Sequence, residues 1–136
     1  MNFTNIPFRR ISACDIPRPS LPITIVNPES KKSLNTYGII DTGADECAFP
    51  AEIAELLDIN LRQGKSKTVI TGNGETKAYS CPVSLDIKGF KIHNIFIDFL
   101  PNLHLPLLGT KSFLSKFILI INYPRKTFSL KLSDHE

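Results

Sequence analysis

One aspartate stands where a carboxylate could do chemistry. In Gly38-Ile39-Ile40-Asp41-Thr42-Gly43-Ala44-Asp45 a β-branched apolar run delivers Asp41 to the end of a strand, and Thr42-Gly43 turns the backbone sharply. A carboxylate placed there faces a cleft, and the chemistry open to it is proton transfer. Gly43 can adopt backbone angles closed to other residues and lets a substrate or partner chain approach. The Thr42 hydroxyl can bond a neighbouring backbone group and hold the loop rigid. The same tripeptide also makes an ordinary turn, since Asp, Thr and Gly are all good turn formers.

Other reactive side chains form no comparable group. Cys14, Cys47 and Cys81 are odd in number, irregularly spaced and without a Cys-x-x-Cys pair, which points to a reducing compartment. Cys47 follows the Asp41 loop closely, but His93, His104 and His135 offer a catalytic thiol no partner pattern. Cys47 is therefore expected as a small buried apolar side chain. His93 has no second ligand at metal spacing, so no metal site is expected.

The elements that would position Asp41 can be read in order. Residues 1–20 mix Phe, Arg, Ile and three prolines without a period, and Pro17 to Pro22 favours an extended path, so this stretch reads as a lead-in arm. Leu21–Val26 and Thr36–Ile40 flank a turn at Asn27-Pro28-Glu29-Ser30 and form the hairpin that carries Asp41 inward. Pro50 to Leu57 has Pro at a first helical position and apolar Ile53, Leu56 and Leu57 on one side, a short amphipathic helix. Thr68–Thr71 and Thr76–Ser80 bracket Gly72-Asn73-Gly74-Glu75, where Asn-Gly is a strong hairpin signal.

Val83–Ile87 alternates, Lys88-Gly89 turns, and Phe90–Phe99 continues as strand. After a loop comes Leu107-Leu108-Gly109. Lys111 to Phe117 places Phe113, Leu114 and Phe117 on one helical face, and a closing hairpin turns at Tyr123-Pro124-Arg125-Lys126. There is no internal repeat.

Composition bounds the function classes. The 136 residues fit one domain. With 42% hydrophobic and 21% charged residues, disorder and a membrane protein are both disfavoured. The net charge of +3 is spread along the chain without a dense basic block, so no nucleic-acid partner is expected, and Arg9-Arg10 and Lys65-Ser66-Lys67 read as solvated surface. The amino-terminal residues lack the apolar core of a signal peptide, and the apolar run Phe117 to Ile121 is too short to span a bilayer. A soluble, cytoplasmic protein with no membrane partner is the expectation.

Ile39-Ile40 before the aspartate, Ala44-Asp45 after it, and Leu107-Leu108-Gly109 with a short helical pattern behind it resemble the retropepsin-like aspartic proteases. The resemblance runs over about residues 20–132 in the expected order. It implies an all-β fold with one or two short helices, a closed or partly open barrel with a flap hairpin, active as a twofold homodimer. The corresponding division is an arm at 1–20, the domain at 21–132 and a tail at 133–136.

In this family peptide hydrolysis needs two carboxylates sharing one proton, one activating water and the other donating to the scissile carbonyl. The chain carries one Asp-Thr-Gly, and Asp15, Asp58, Asp86, Asp98 and Asp134 all lack the following Thr-Gly or Ser-Gly. The second carboxylate must come from another copy of the chain.

The resemblance makes Asp41 catalytic and gives Thr42 and Gly43 the support of its loop, with the Thr42 hydroxyl bonding across the dimer. It assigns Ala44, Asp45, Gly72, Asn73, Gly74, Leu107, Leu108 and Gly109 to the substrate groove, the three flap residues closing over a bound peptide. No cofactor is implied. Ala44 stands where some members have a hydroxyl donor to the carboxylate, which implies an optimum nearer neutral than strongly acidic. The arginine that often follows the apolar-apolar-Gly element is absent, Thr110-Lys111 taking its place; lysine supplies a point charge rather than a bidentate fork. The activity implied is an aspartic endopeptidase cutting an extended peptide with apolar residues at the scissile bond. The alternative, from a different class, is a catalytically silent dimeric module that binds peptides. A small β-rich domain unrelated to proteases is a third reading, which requires the ordered match to be coincidence.

Overall fold

Alternating apolar and polar residues become strands when one face can be covered. The computed structural model describes residues 2–133 and arranges them as ten strands and one short α-helix. The strands are β1 (Asn2–Pro7), β2 (Ser20–Val26), β3 (Ser33–Ile40), β4 (Ala48–Pro50), β5 (Lys65–Thr71), β6 (Gly74–Ile87), β7 (Phe90–Leu100), β8 (Leu107–Leu108), β9 (Phe117–Asn122) and β10 (Thr127–Leu132). The helix α1 (Ala51–Leu56) follows β4 directly. Pro50 sits one position before the helix, as its N-cap, and buried Ile53 anchors the inner side. Of the expected tail only Ser133 is described; Asp134, His135 and Glu136 lie outside the described residues, as does Met1.

Seven strands form one sheet in the order β2-β3-β8-β4-β7-β6-β5. A further pairing of β2 with β6, through Thr24–Asp86 and Val26–Ser84, closes six of them into a barrel. The length of β6 explains how one strand serves two purposes. Its first half pairs with β5 as a projecting hairpin, and its second half pairs with β7 and β2 in the wall. The barrel interior holds Leu21, Ile25, Phe49, Val83, Leu85, Ile87, Ile97 and Phe99, all fully buried. Phe49 and Phe99 meet edge to face with ring centroids 6.1 Å apart.

A second, three-stranded sheet has the order β1-β10-β9. Residues 2–7, expected as part of an arm without a period, are thus a strand: Asn2 pairs with Lys131 and Phe3 with Leu130, and both Phe3 and Ile6 are buried. A bulge between Phe3 and Ile6, with Asn5 at φ 51°, hid the alternation that marks a strand. Aromatic contacts from Phe113 to Phe117, Phe117 to Phe90 and Phe90 to Phe3 tie this sheet to the barrel.

The helix expected over Lys111–Phe117 is absent. Wide turns bond Leu114 N–H to the Gly109 carbonyl and Ser115 N–H to the Thr110 carbonyl, and only Leu114–Lys116 closes as a 3-10 turn. Phe113, Leu114 and Phe117 are buried as their spacing suggested. Both wide bonds run five residues back instead of the four of an α-helix, which keeps the segment out of helical register.

Candidate functional site

Asp41 closes β3, and its own amide donates to the Leu108 carbonyl at 3.0 Å. That bond extends the parallel pairing of Ile39 with Leu107 and Ile40 with Leu108. The Asp41 side chain is half-buried and its Oδ1 accepts the Gly43 N–H at 3.0 Å, while the Ala44 N–H bonds the Asp41 carbonyl at 3.2 Å. The carboxylate is therefore held at Oδ1 by Gly43 and the Asp41 backbone by Ala44 and Leu108, with Oδ2 left for a ligand.

Gly43 does its work differently from expectation. It does not occupy the left-handed region, because the backbone bond from Ala44 to Asp41 closes the loop at ordinary angles. A side chain there would begin 3.4 Å from Asp41 Oδ1, so what glycine contributes is open space above the carboxylate. Thr42 is exposed, and its hydroxyl has no partner among the described residues, contrary to the expected local backbone bond. It faces outward at the loop tip.

Leu107-Leu108-Gly109 threads against the same loop. Thr110 N–H donates to the Ala44 carbonyl at 2.9 Å and Lys111 N–H to the Asp45 carbonyl at 2.7 Å. Gly109 is buried where a Cβ would lie 2.4 Å from the Glu46 carbonyl oxygen and 2.9 Å from that of Ala44, so no other residue fits without moving the loop. Its N–H donates to Cys47 Sγ at 3.3 Å. Burial pushes the Cys47 thiol up to about 11, so it stays protonated and serves as a packed acceptor, as its sequence context suggested.

Ala44 is half-buried and Asp45 is exposed. Lys111, the stand-in for the missing arginine, reaches Glu46 Oε2 at 3.3 Å rather than Asp45. Gly72, Asn73 and Gly74 are exposed at the end of the β5–β6 hairpin, with Gly74 at φ 99° and Thr71 Oγ1 bonded to its carbonyl at 3.0 Å. This is a turn followed by a left-handed glycine, so the special backbone angle falls on Gly74.

Several residues beside Asp41 carried no signal in the sequence. A cleft of about 470 Å³ joins Asp41 to Leu107, which the resemblance assigned to the groove, and to Leu105, Ile11, Asp15 and Arg18, which it did not. Arg18 grips Asp15 with two nitrogens, at 2.8 and 2.9 Å, and holds its carboxyl below the usual range. The hydrogen-bonded bridge between Arg9 and Arg18 folds the residues between them into a loop, and the Ile40 N–H, donating to the Pro19 carbonyl at 3.0 Å, sets the end of that loop beside Asp41, a closure that composition does not reveal. Two residues expected as solvated surface are engaged: Arg9 stacks 3.6 Å from the Tyr37 ring centroid, and Lys67 pairs with buried Asp98 at 2.9 Å. A larger cleft of about 700 Å³ lies between α1 and residues 101–103, among Glu52, Glu55, Leu61 and Arg62. It does not include the Asp41 loop.

The sequence profile of the aspartyl protease family matches residues 32–112, more than half of the chain. Among solved structures, a retropepsin-like aspartic protease from Rickettsia conorii superposes with a TM-score of 0.63 at 28% identity, over 82% of this chain and 89% of that one. The EIAV protease, in complex with an inhibitor, superposes with a TM-score of 0.50 at 20% identity, over 74% of this chain and 88% of the other, a likeness of fold. No curated protein sequence gives a significant match. Among the described residues no helix is long and apolar enough to cross a membrane.

Proposed function

Because the chain belongs to the aspartyl protease family and has the retropepsin-like fold, we propose that it is an aspartic endopeptidase whose two catalytic carboxylates are the Asp41 residues of a homodimer. The observation that carries this reading is the fixation of one Asp41 per chain, half-buried, clamped by Leu108 and Gly43, with an oxygen left open to a cleft. A lone carboxylate is a poor catalyst for amide hydrolysis, since one group must accept a proton from water while another protonates the carbonyl oxygen. Two carboxylates a few ångströms apart cannot both ionise, so at working pH one proton is shared and both roles are filled at once.

Water held between the pair loses a proton to the ionised Asp41 as its oxygen bonds to the scissile carbonyl carbon. The protonated Asp41 gives its proton to the carbonyl oxygen, and a neutral tetrahedral diol results. Transfer of a proton to the amide nitrogen then lets the C–N bond break, releasing acid and amine. The outward Thr42 hydroxyl, unpartnered among the described residues, supports a role across the dimer axis, and the exposed Asp45 supports one in holding substrate backbone. The projecting β5–β6 hairpin supports a role as a cover over an extended peptide whose main chain adds as a strand.

Incubation of the purified chain with a denatured protein mixture tests the proposal. Asp41→Asn is expected to lower cleavage at least about 1,000-fold, as removal of an essential acid-base group does in other hydrolases. Equal cleavage by both proteins overturns it.

A further inference from the structure

Asp98 is the only carboxylate that the fold buries among the described residues. Its side chain is 7% exposed, and its ion-pair partner is Lys67 Nζ, on the flap strand β5, at 2.9 Å. Strand register shows what surrounds it. Asp98 lies opposite Ala48 on β4 and Ser80 on β6, Ala48 lies opposite Leu107, and Leu107 lies opposite Ile39. Residues in register share a face of a sheet. One row thus leads from Ile39, two residues before Asp41, across Leu107 and Ala48 to Asp98, while Ile97 and Phe99 point into the barrel. Three strand spacings of about 4.8 Å put Asp98 roughly 14 Å from Ile39 along this face.

The residues around Asp98 are small. Ala48 and Ser80 flank it, and Ala78, opposite Lys67, is fully buried without belonging to the main core. They set little side-chain bulk beside the carboxylate, and Lys67 Nζ closes on it. Lys67 itself is 39% exposed, on a flexible stem carried by the flap.

We propose that Asp98 is a specificity-determining residue of the peptide groove, receiving a lysine or arginine side chain of the substrate in exchange for Lys67. The proposal rests on the peptidase reading and narrows its substrate class to extended peptides with one cation beside the apolar residues at the cleaved bond. A carboxylate this buried needs a counter-charge, and an apolar side chain pressed over it would strip solvation and return nothing. A substrate cation restores the pair and releases Lys67 to water. An extended chain advances about 3.3 Å per residue, so about four residues span the distance, and two or three do where the long side chain of the substrate cation itself reaches along the face.

Binding to the full-length Asp41→Asn chain tests this without cleavage. Fluorescent peptides with a central apolar pair carry lysine or norleucine at the second, third or fourth position from it. At one position lysine is expected to bind at least 10-fold tighter than norleucine. Asp98→Asn is expected to bring that ratio to about one, and Lys67→Met to raise it. Equal affinities for both peptides at every position, a ratio that survives Asp98→Asn, or no binding of any peptide overturns the proposal. If Asp98→Asn does not fold by circular dichroism, an unchanged ratio in Lys67→Met overturns it instead. Cleavage by the unaltered chain is read separately: a lysine preference in binding with no cleavage keeps Asp98 in its role and overturns the peptidase reading.

Discussion

At the scale of single residues, Gly109 shows how little room the site has. A methyl group there would press on the Glu46 backbone at 2.4 and 2.6 Å, and backbone, unlike the end of a flexible side chain, yields only by moving the whole loop. Gly109→Ala is expected to displace Asp41 and lower kcat/KM at least about 100-fold, since misplacement by about 1 Å costs that much. Steady-state kinetics on a cleavable peptide checks this, and retention of most activity would contradict the tight threading. The placement of Asp41 at the end of a strand was legible because a short local pattern fixes it, and that of Gly109 beside its loop followed from the resemblance. Asp98 was not, because an acid within Phe96-Ile97-Asp98-Phe99 gives no sign of the Lys67 that meets it from a distant strand. Pairing across strands is fixed by register, and register is a property of the whole sheet.

Among the elements, β2, β3, the flap hairpin and β7 follow from alternation and turn residues, and the sequence placed them closely. The two failures share a cause. In β1 a bulge breaks the period of two, and over 111–117 a chain anchored through Thr110 and Lys111 to the Asp41 loop bonds five residues back at Leu114 and Ser115, departing from the helical pattern. In both, contacts distant in sequence beat the local signal. The strand status of residues 2–7 makes a quantitative forecast. Phe3 is 5% exposed and touches Phe90, so Phe3→Ala is expected to destabilise by about 3 kcal/mol, the usual cost of emptying a buried aromatic site. Urea unfolding measures it; a loss under about 0.5 kcal/mol, typical of surface positions, would mean that β1 is not docked.

For the molecule as a whole, the governing number is one Asp-Thr-Gly per chain. If the acids come from two copies, activity is a property of the pair. Lys111 is spent on Glu46 and leaves Asp45 without a fork to hold it, which points to a loosely tied dimer. Specific activity is therefore expected to fall on dilution, and below the dissociation constant the rate should follow the square of the chain concentration. Progress curves over a 100-fold range of enzyme, alongside sedimentation, check this. A rate strictly proportional to concentration with a monomeric species throughout would rule the shared site out.

The pairing of Asn2 with Lys131 has a consequence for the shape of the chain as a thread. The path ends almost where it starts, so the described polypeptide is close to a loop with a single cut in it. A short bridge from Ser133 back to Asn2 would close that ring, and a new opening at the exposed Tyr123–Lys126 turn would deliver the same strands in a rotated order. By the same geometry, passengers attached at the two ends would emerge side by side from one corner of the small sheet.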